Sequence, residues 1–579
     1  MAMQIKRRPA AAAAAAADWG ADLHPVLRRV YAARGVARDE DLDLSLERLL
    51  PVTSLEGVLE AARLLASHQR GGRVLVIGDF DADGATGSAL LVRGLKALDF
   101  EQVDFLVPNR FRFGYGLTPE IVALAASRRP TLIVTVDNGV SSIGGVEAAC
   151  ALGIPVLITD HHLPGAALPR AQVIVNPNLP GSRFASPALA GVGVAFYVVA
   201  ALARELGRAD FKAAGLLDLV ALGTVADLVP LDRNNRVLVA QGLRRIRAGQ
   251  CAPGIRALLE TAGRRCDQAT AADLGYVVAP RLNAAGRLTD MSLGIECLLA
   301  DEPREAAALA AQLAKLNEER RDIEQRMQLE ALELAAAVRF DAAGVEAQGL
   351  CLFEESWHQG VVGLVAGRIK ERLHRPVIAF ARAEDGFLRG SARSVAGINI
   401  RDVLDGIAAR QPGLIEKFGG HAMAAGMTLR ETSLEAFRSA FAGEIAARAD
   451  ADSLAGVIHS DGELHGEELS VQMARLLRGA GPWGQGFPEP MFDGAFRIVD
   501  ARIVGGKHLK LQLREAAAPG AAAPGGAELE AIAFGYIGGA AEDPSVRPGA
   551  EVRLAYRLEV NEYGGMERVQ LNCQHLKLG

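Results

Sequence analysis

In the stretch VLVIGDFDADG, residues 74–84, an apolar run ends at Gly78 and three aspartates follow at every second position: Asp79, Asp81 and Asp83. Carboxylates this close disfavour one another's ionisation unless a positive charge sits among them. One of them could cap the next helix, since Asp is a favoured N-cap, but three cannot all do so. A hard divalent cation takes oxygen ligands and would offset the repulsion. An EF-hand calcium loop is disfavoured, because its twelfth position wants glutamate and here holds Leu90.

Three further clusters carry the same chemistry. VTVDNGV closes on Asp137, ITDHHLPG supplies Asp160, His161 and His162, and LVALGTVADLVPL sets Asp227 as the polar interruption of an apolar helix. Burying Asp227 without a cation or hydrogen bonds would be costly. A lone histidine is most often satisfied core or surface; two in succession after an acidic strand end favour ligation. Carboxylate and imidazole without sulfur suit Mn²⁺ or Mg²⁺. Two such ions about 3.5–4 Å apart can activate a water and stabilise a leaving oxygen in phosphoryl transfer.

The elements that must position these groups follow from the hydrophobic pattern. From about residue 73 to 180, the runs VLVIG, VDFLVP, TLIVTVD, IPVLITD and AQVIVN alternate with helical segments. Near-continuous apolar strands separated by helices indicate a parallel sheet covered on both faces. Ligands of such sheets bind at the carboxyl ends of the strands, where Asp79, Asp137 and Asp160 stand. Helices dominate about 188–300, and 302–338 reads as one long helix joining two lobes. A second α/β unit spans about 347–448. Beyond 450 come five short strands suited to a small barrel such as an OB-fold, interrupted by the loop AAAPGAAAPGGAE.

Composition bounds the rest. The 579 residues fit three to four domains of roughly 100–200 residues each. The net charge of −6 gives no global basic signature, so a nucleic-acid partner needs local basic surfaces. Residues 368–417 supply one, with ten Lys/Arg against six Asp/Glu. Within RFRFGYG, Phe111, Phe113 or Tyr115 could stack on a base, which is sequence-tolerant; core packing competes for each ring. In the C-terminal part the candidate strand contacts are Trp483, Lys507, His508, Lys510, Tyr556 and Tyr563. Six cysteines without a CxxC exclude a zinc knuckle and fit a reducing cytoplasm. No 18-residue apolar run occurs, and LAGVGVAFYVVAALA at 189–203 reads as a buried helix. The alanine tract after MAMQIKRRP reads as a low-complexity tail rather than a signal peptide.

The motifs DFDADG, VPNRF, DNG, DHH, VAD and RLNAAGR, in this order, resemble those of the DHH phosphoesterase superfamily. The later SWHQGVVG, GSARS and GGHAMAAG resemble its DHHA1 domain. With the long helix and a barrel carrying GPWGQGFPEPMF, the chain from about 70 onward is similar to the superfamily's single-strand-specific 5′→3′ DNA exonucleases.

That resemblance implies two α/β lobes, a parallel-sheet DHH domain and a DHHA1 domain, joined by a long helix and followed by a C-terminal OB-fold β-barrel. Its divisions would be an N-terminal appendage (1–55), the DHH domain (56–300), the helix (301–340), the DHHA1 domain (341–450) and the OB-fold domain (451–579). It implies two ions, Mn²⁺ or Mg²⁺, on Asp79, Asp81, Asp83, Asp137, His161 and Asp227, with Asp137 bridging. Asp160 and His162 would support the ligands or touch the scissile phosphate. Arg110, Tyr115, Arg281, Asn283, Arg287, His358, Ser391, Arg393, Gly420 and His421 would hold substrate. It further implies single-stranded DNA threading a cleft too narrow for duplex, repair and recombination in the cytoplasm, a single-strand-binding protein and a helicase as partners, and a monomer. The rivals are a small-substrate DHH phosphodiesterase acting on nanoRNA or cyclic dinucleotides, which would hardly need the barrel, and a catalytically silent DNA-binding scaffold, which would be expected to lose ligands.

Overall fold

A computed structural model of the chain describes residues 3–9, 19–20, 22–109, 113–338, 348–383, 386–449, 454–516, 528–536, 546–562 and 566–578. The alanine tract and most of the AAAPGAAAPGGAE loop lie outside them. The chain divides into two compact units, one of Ile5–Ala314 with His459–Gly579 and one of Met1–Gln4 with Lys315–Ile458.

A short strand β1 (Gln4–Arg7) and the helices Pro25–Ala32 and Val58–Ala66 precede five strands, β2 (Arg73–Gly78), β3 (Gln102–Leu106), β4 (Leu132–Val136), β5 (Val156–Thr159) and β6 (Val173–Val175). Each corresponds to one of the five apolar runs. They form one sheet of order β3-β2-β4-β5-β6, parallel throughout. The chain crosses in opposite directions from β2 to β3 and from β3 back to β4. The crevice beyond β2 and β4 is therefore the topological switch point, where ligands of open α/β sheets bind. All five residues of β4 are buried. On one face Leu75, Ile77 and Ile133 pack with Ile121, Val122 and Val146 of the helices Pro119–Ser127 and Ile143–Ala151. Ala82–Ala97 packs with the buried helices Gly191–Glu205 and Leu217–Ala226.

The long helix is Pro303–Val338, 36 residues, or about 54 Å at 1.5 Å per residue; it begins in one unit and ends in the other. Midway, the buried Arg320 donates to Glu324 (2.7 Å) and to Asn317 (2.9 Å).

The second unit holds β7 (Leu350–Phe353), β8 (Val377–Arg382), β9 (Phe387–Arg393), β10 (Lys417–Gly420) and β11 (Ala424–Arg430). Their order is β10-β11-β9-β8-β7, with only β7 and β8 parallel. Phe380, Phe437 and Phe441 anchor its core.

Strand β12 (Val457–Ser460) pairs with β1. Strands β13 (Phe492–Val504), β14 (His508–Glu515), β15 (Leu529–Ala533), β16 (Glu551–Asn561) and β17 (Arg568–Leu578) follow and close in the order β13-β14-β15-β17-β16. Phe492, Phe496 and Tyr556 are fully buried in this part.

Residues 22–55 differ from the expected appendage. The Pro25–Ala32 helix buries Val26, Leu27, Val30 and Tyr31. Tyr31 Oη donates to Ala480 O at 2.7 Å, and Arg34 meets Asp461 at 2.9 and 3.0 Å with both side chains almost wholly buried. The segment's first part is a strap on the start of the barrel region, while Glu40, Leu44 and Leu50 accept from or donate to Arg233, Gln241, Tyr197 and Asn234 of the helices Gly191–Glu205 and Arg233–Arg247. These partners lie too far apart in sequence for local patterning to reveal.

Candidate metal centre

The turn after β2 sorts its aspartates by role. Asp81 caps the Ala82–Ala97 helix, its Oδ1 accepting from Asp83 N (3.0 Å) and Gly84 N (3.1 Å). A Cβ on Gly84 would lie 2.5 Å from Asp79 O, so only glycine lets the turn close this tightly. The wholly buried Asp83 takes Gly191 N on Oδ2 (2.7 Å) and Val192 N on Oδ1 (2.9 Å). A carboxylate on a helix's free N–H groups and positive dipole end is well placed.

Asp137 follows β4 with φ of +61°. A non-glycine residue held there costs on the order of 1–3 kcal/mol and typically marks a functional site. A Cβ on Gly191 would come within 2.7 Å of Asp137 Cβ, so glycine allows the Gly191–Glu205 helix to end against it. His161 Nε2 lies 3.0 Å from Asp137 Oδ1, 3.4 Å from Asp227 Oδ2 and 3.9 Å from Asp83 Oδ2. Asp227 is the C-cap of Leu217–Ala226 rather than a residue inside that helix. Three overlapping groups each bring ligand atoms within 4.8 Å of one another: Asp79, Asp81 and Asp137; Asp83, His161 and Asp227; Asp137, His161 and His162.

Asp160 orients the histidine pair. Its Oδ2 accepts from Val140 N (2.8 Å), and its Oδ1 accepts from His161 N (2.8 Å) and His162 N (3.1 Å) and lies 2.8 Å from His162 Nδ1. Burial would raise Asp160, yet the hydrogen bond and charge of His162 hold it below the ordinary carboxylate range. Burial disfavours the His162 cation too, but Asp160 outweighs it and lifts that imidazole to about 9. Burial, then the neighbouring His162 charge, push His161 down to about 4, leaving a neutral imidazole, the ligating form. Two positions that the sequence reading passed over fix this loop: Asn176 donates to His162 O (2.9 Å) and Asn178 to His161 O (2.6 Å). Their signal was an asparagine closing the fifth strand, as aspartates close three of the others.

The donors fit a hard divalent ion. Burial first, then the surrounding carboxylates, raise Asp137 and Asp227 far above the ordinary range and Asp83 to about 7. Asp137 Oδ1 and His161 Nε2 are buried and make no hydrogen bond. A cation would let the carboxylates ionise together and occupy both lone pairs.

Three domain families match: "DHH family, N-terminal domain" at 73–224, "DHHA1 domain" at 346–447 and "RecJ OB domain" at 460–575. A Dickeya dadantii protein named single-stranded-DNA-specific exonuclease RecJ is 50% identical over 583 residues, 99% of each chain. The chain belongs to the RecJ family. The crystal structure of Thermus thermophilus RecJ in complex with Mn²⁺ superposes with a TM-score of 0.80 at 32% identity, over 99% of this chain and 79% of that one. The same protein in complex with Mg²⁺ gives 0.75 at 31% identity, over 99% and 78%.

In this RecJ-family chain the residues expected on substrate fall into distinct settings. Tyr115, 47% exposed, has its hydroxyl 3.2 Å from His162 Nδ1 and donates to Asp137 O at 3.2 Å. Asn283 reaches inward, its Oδ1 accepting from Ala82 N at 2.8 Å; it supports the carboxylate turn. Arg281 Nη1 donates to Val277 O (2.6 Å), and Arg287 is half-buried on the same helix, Ala279–Leu288. Phe113 is half-buried and packs against the sheet's helical face. Arg110 and Phe111 lie outside the described residues.

In the DHHA1 region, Arg393 Nη1 donates to Ser391 Oγ (3.0 Å), and a Cβ on Gly363, in the first turn of the helix Val362–Leu373, would lie 2.8 Å from Ser391 Oγ. His358 immediately precedes that helix, its Nδ1 accepting from Gly360 N at 3.1 Å. Ser391 and Arg393 thus stand against the N-terminus of that helix. Gly420 and the exposed His421 form the β10–β11 turn, where His421 N donates to Ala424 O at 2.8 Å.

In the RecJ OB domain one expected contact fails and a second is half-buried. Tyr556 is fully buried, and Trp483 stacks on Phe487 at 5.3 Å and Tyr31 at 6.0 Å. Aromatic side chains bury much apolar area, and the strap supplies the surface for Trp483. Lys510 pairs with Glu530 at 2.9 Å; Lys507 is exposed; Tyr563 lies outside the described residues. Among the described residues of this domain Phe534 is an open ring, 59% exposed and edge-on to His508 at 5.2 Å.

Among the described residues no helix is long and apolar enough to cross a membrane.

Proposed function

We propose that the chain hydrolyses single-stranded DNA inward from the 5′ end, with two divalent ions, Mn²⁺ or Mg²⁺, held by Asp79, Asp81, Asp83, Asp137, His161 and Asp227. The observation that carries this reading is the convergence of those ligand atoms in overlapping triads that share Asp137 and His161. Bound ions supply Lewis-acid chemistry, acidifying a water and offsetting charge on the phosphoryl oxygens. The chain's own groups do the positioning. Gly191 N and Val192 N fix the Asp83 carboxylate, while the Asp160 contact keeps a proton on His162, leaving a cation beside Tyr115 for the scissile phosphate. Ser391, Arg393, His358 and the Gly420–His421 turn are assigned to substrate phosphates, as are Arg110, Arg281 and Arg287. Base edges are read by none of these, which suits a sequence-tolerant enzyme.

Membership of the RecJ family supports a single-strand substrate, with a single-strand-binding protein and a helicase as partners and the cytoplasm as the site of action. The test is digestion of 5′- and 3′-labelled single strands, duplex and dinucleotides with Mn²⁺ or EDTA. Mn²⁺-dependent release of the 5′ label from single strands first is expected. Preference for dinucleotides, or release of the 3′ label first, would overturn the reading.

A further inference from the structure

A cavity of about 390 Å³ lies among helices following the parallel sheet and the start of the barrel domain. Its lining includes Leu228, Tyr276 and Trp483 together with Arg244, Arg247 and Arg478. Apolar and aromatic walls with a few converging charges are the common make-up of small-molecule sites of this volume. The arginines lie near one another: burial first, then the charges of Arg478 and Arg244, disfavour the Arg247 cation, against a smaller opposing effect of Asp273. Arg247 Nε donates to Ala269 O at 2.8 Å, and no carboxylate pairs with Arg244 or Arg247 among the described residues. Arg478 has an exposed partner in Glu562 at 3.2 Å, and the pocket's Glu489 is taken by Arg557 at 2.9 Å. The site therefore has a surplus of guanidinium groups, the forks that bind phosphate.

Both walls run into the metal centre. Leu228, in the left-handed region at φ +59° and 63% exposed, directly follows Asp227. Tyr276, 71% exposed, sits in the π-helical turn Leu274–Val278, which continues into the helix carrying Asn283. π-turns recur at functional sites. We infer that this cavity is a second nucleotide site, taking a deoxynucleotide by its phosphate on Arg244, Arg247 and Arg478 and by its base against Tyr276. The inference rests on the proposed DNA substrate, and its occupant is either a nucleotide of the bound strand or a released mononucleotide.

The test uses the full chain carrying Arg393→Ala, to weaken the phosphate candidates of the DHHA1 region, in EDTA. 5′-dAMP is titrated by calorimetry, with deoxyadenosine as the phosphate-free control and (dT)12 by fluorescence anisotropy. Saturable 5′-dAMP binding is expected, weakened at least ten-fold by Arg247→Ala/Arg478→Ala and by Tyr276→Ala, with unchanged melting and Mn²⁺ affinity; deoxyadenosine should bind at least ten-fold more weakly. Parallel loss of (dT)12 affinity assigns the pocket to the strand, and unchanged (dT)12 affinity assigns it to the released nucleotide. No 5′-dAMP binding, or binding that the folded variants retain, overturns the inference. Failure of the unsubstituted chain to degrade single strands in Mn²⁺ would instead overturn the proposed function.

Discussion

His161 Nε2 and Asp137 Oδ1 face each other at 3.0 Å, both buried and neither in a hydrogen bond. A neutral imidazole and a carboxylate in this relation present two lone pairs to a common point, which is unfavourable until a cation takes it.

Asp137→Asn removes a charge that belongs to two of the three ligand groups, Asp79/Asp81/Asp137 and Asp137/His161/His162. Turnover on single-stranded DNA should fall about 10³-fold or more, because several kcal/mol of charge stabilisation is lost with the ions. The metal-free protein should melt higher than the parent, since repulsion is relieved. Melting curves in EDTA and initial rates in saturating Mn²⁺ check both; near-normal turnover contradicts the bridging role.

The pH dependence follows from Asp83. Its carboxyl in the folded, metal-free protein is raised to about 7, against about 3.9 unfolded. A carboxyl raised on folding favours the protonated form, so metal-free stability should be highest below pH 4 in this contribution and decline as pH rises to 7. Ions compete with those protons, so Mn²⁺ affinity should rise over the same interval, with proton release on binding. Calorimetry at pH 6 and 8 in two buffers of different ionisation enthalpy measures it; equal affinity without proton release would count against the site.

Asn178→Ala leaves every ligand in place but frees the His161 carbonyl. Outer-shell losses typically cost 10–100-fold in metal affinity or activity. A drop in Mn²⁺ affinity in that range is expected by calorimetry, with melting in EDTA almost unchanged.

The Asp-rich turn, the strand-end aspartates and the histidine pair were legible because each is local: a near-continuous apolar run that stops at a carboxylate. The five strands of the parallel sheet were legible for the same reason. What escaped needed partners hundreds of residues away. Tyr556 carries the composition of a strand-binding ring, but the barrel interior takes it, and the strap's Tyr31 stacks on one side of Trp483. Asn283 sits in a basic motif that suggests phosphate, yet its partner is Ala82 N. Removing everything after residue 450 would also strip Arg34 of Asp461, so the barrel region is not separable without harm to the strap.

Arg34→Ala tests that strap. Breaking one side of a buried ion pair leaves the other charge uncompensated, at about 3 kcal/mol. Urea unfolding should report a loss of that order; a change under 1 kcal/mol would mean that Arg8, 3.4 Å from Asp461, suffices alone.

Phe534→Ala tests the barrel face. Stacking contributes about 1–3 kcal/mol per base, so affinity for a long single strand should fall about ten-fold, while Trp483→Phe should change stability more than binding. Anisotropy titrations of both variants separate the two roles.

The most direct test of the metal centre is anomalous diffraction at the manganese edge from crystals grown with Mn²⁺. Two peaks are expected, one against Asp79, Asp81 and Asp137 and one against Asp83, His161 and Asp227, with Asp137 touching both. A single peak remote from Asp137, or none at saturating Mn²⁺, would contradict the account.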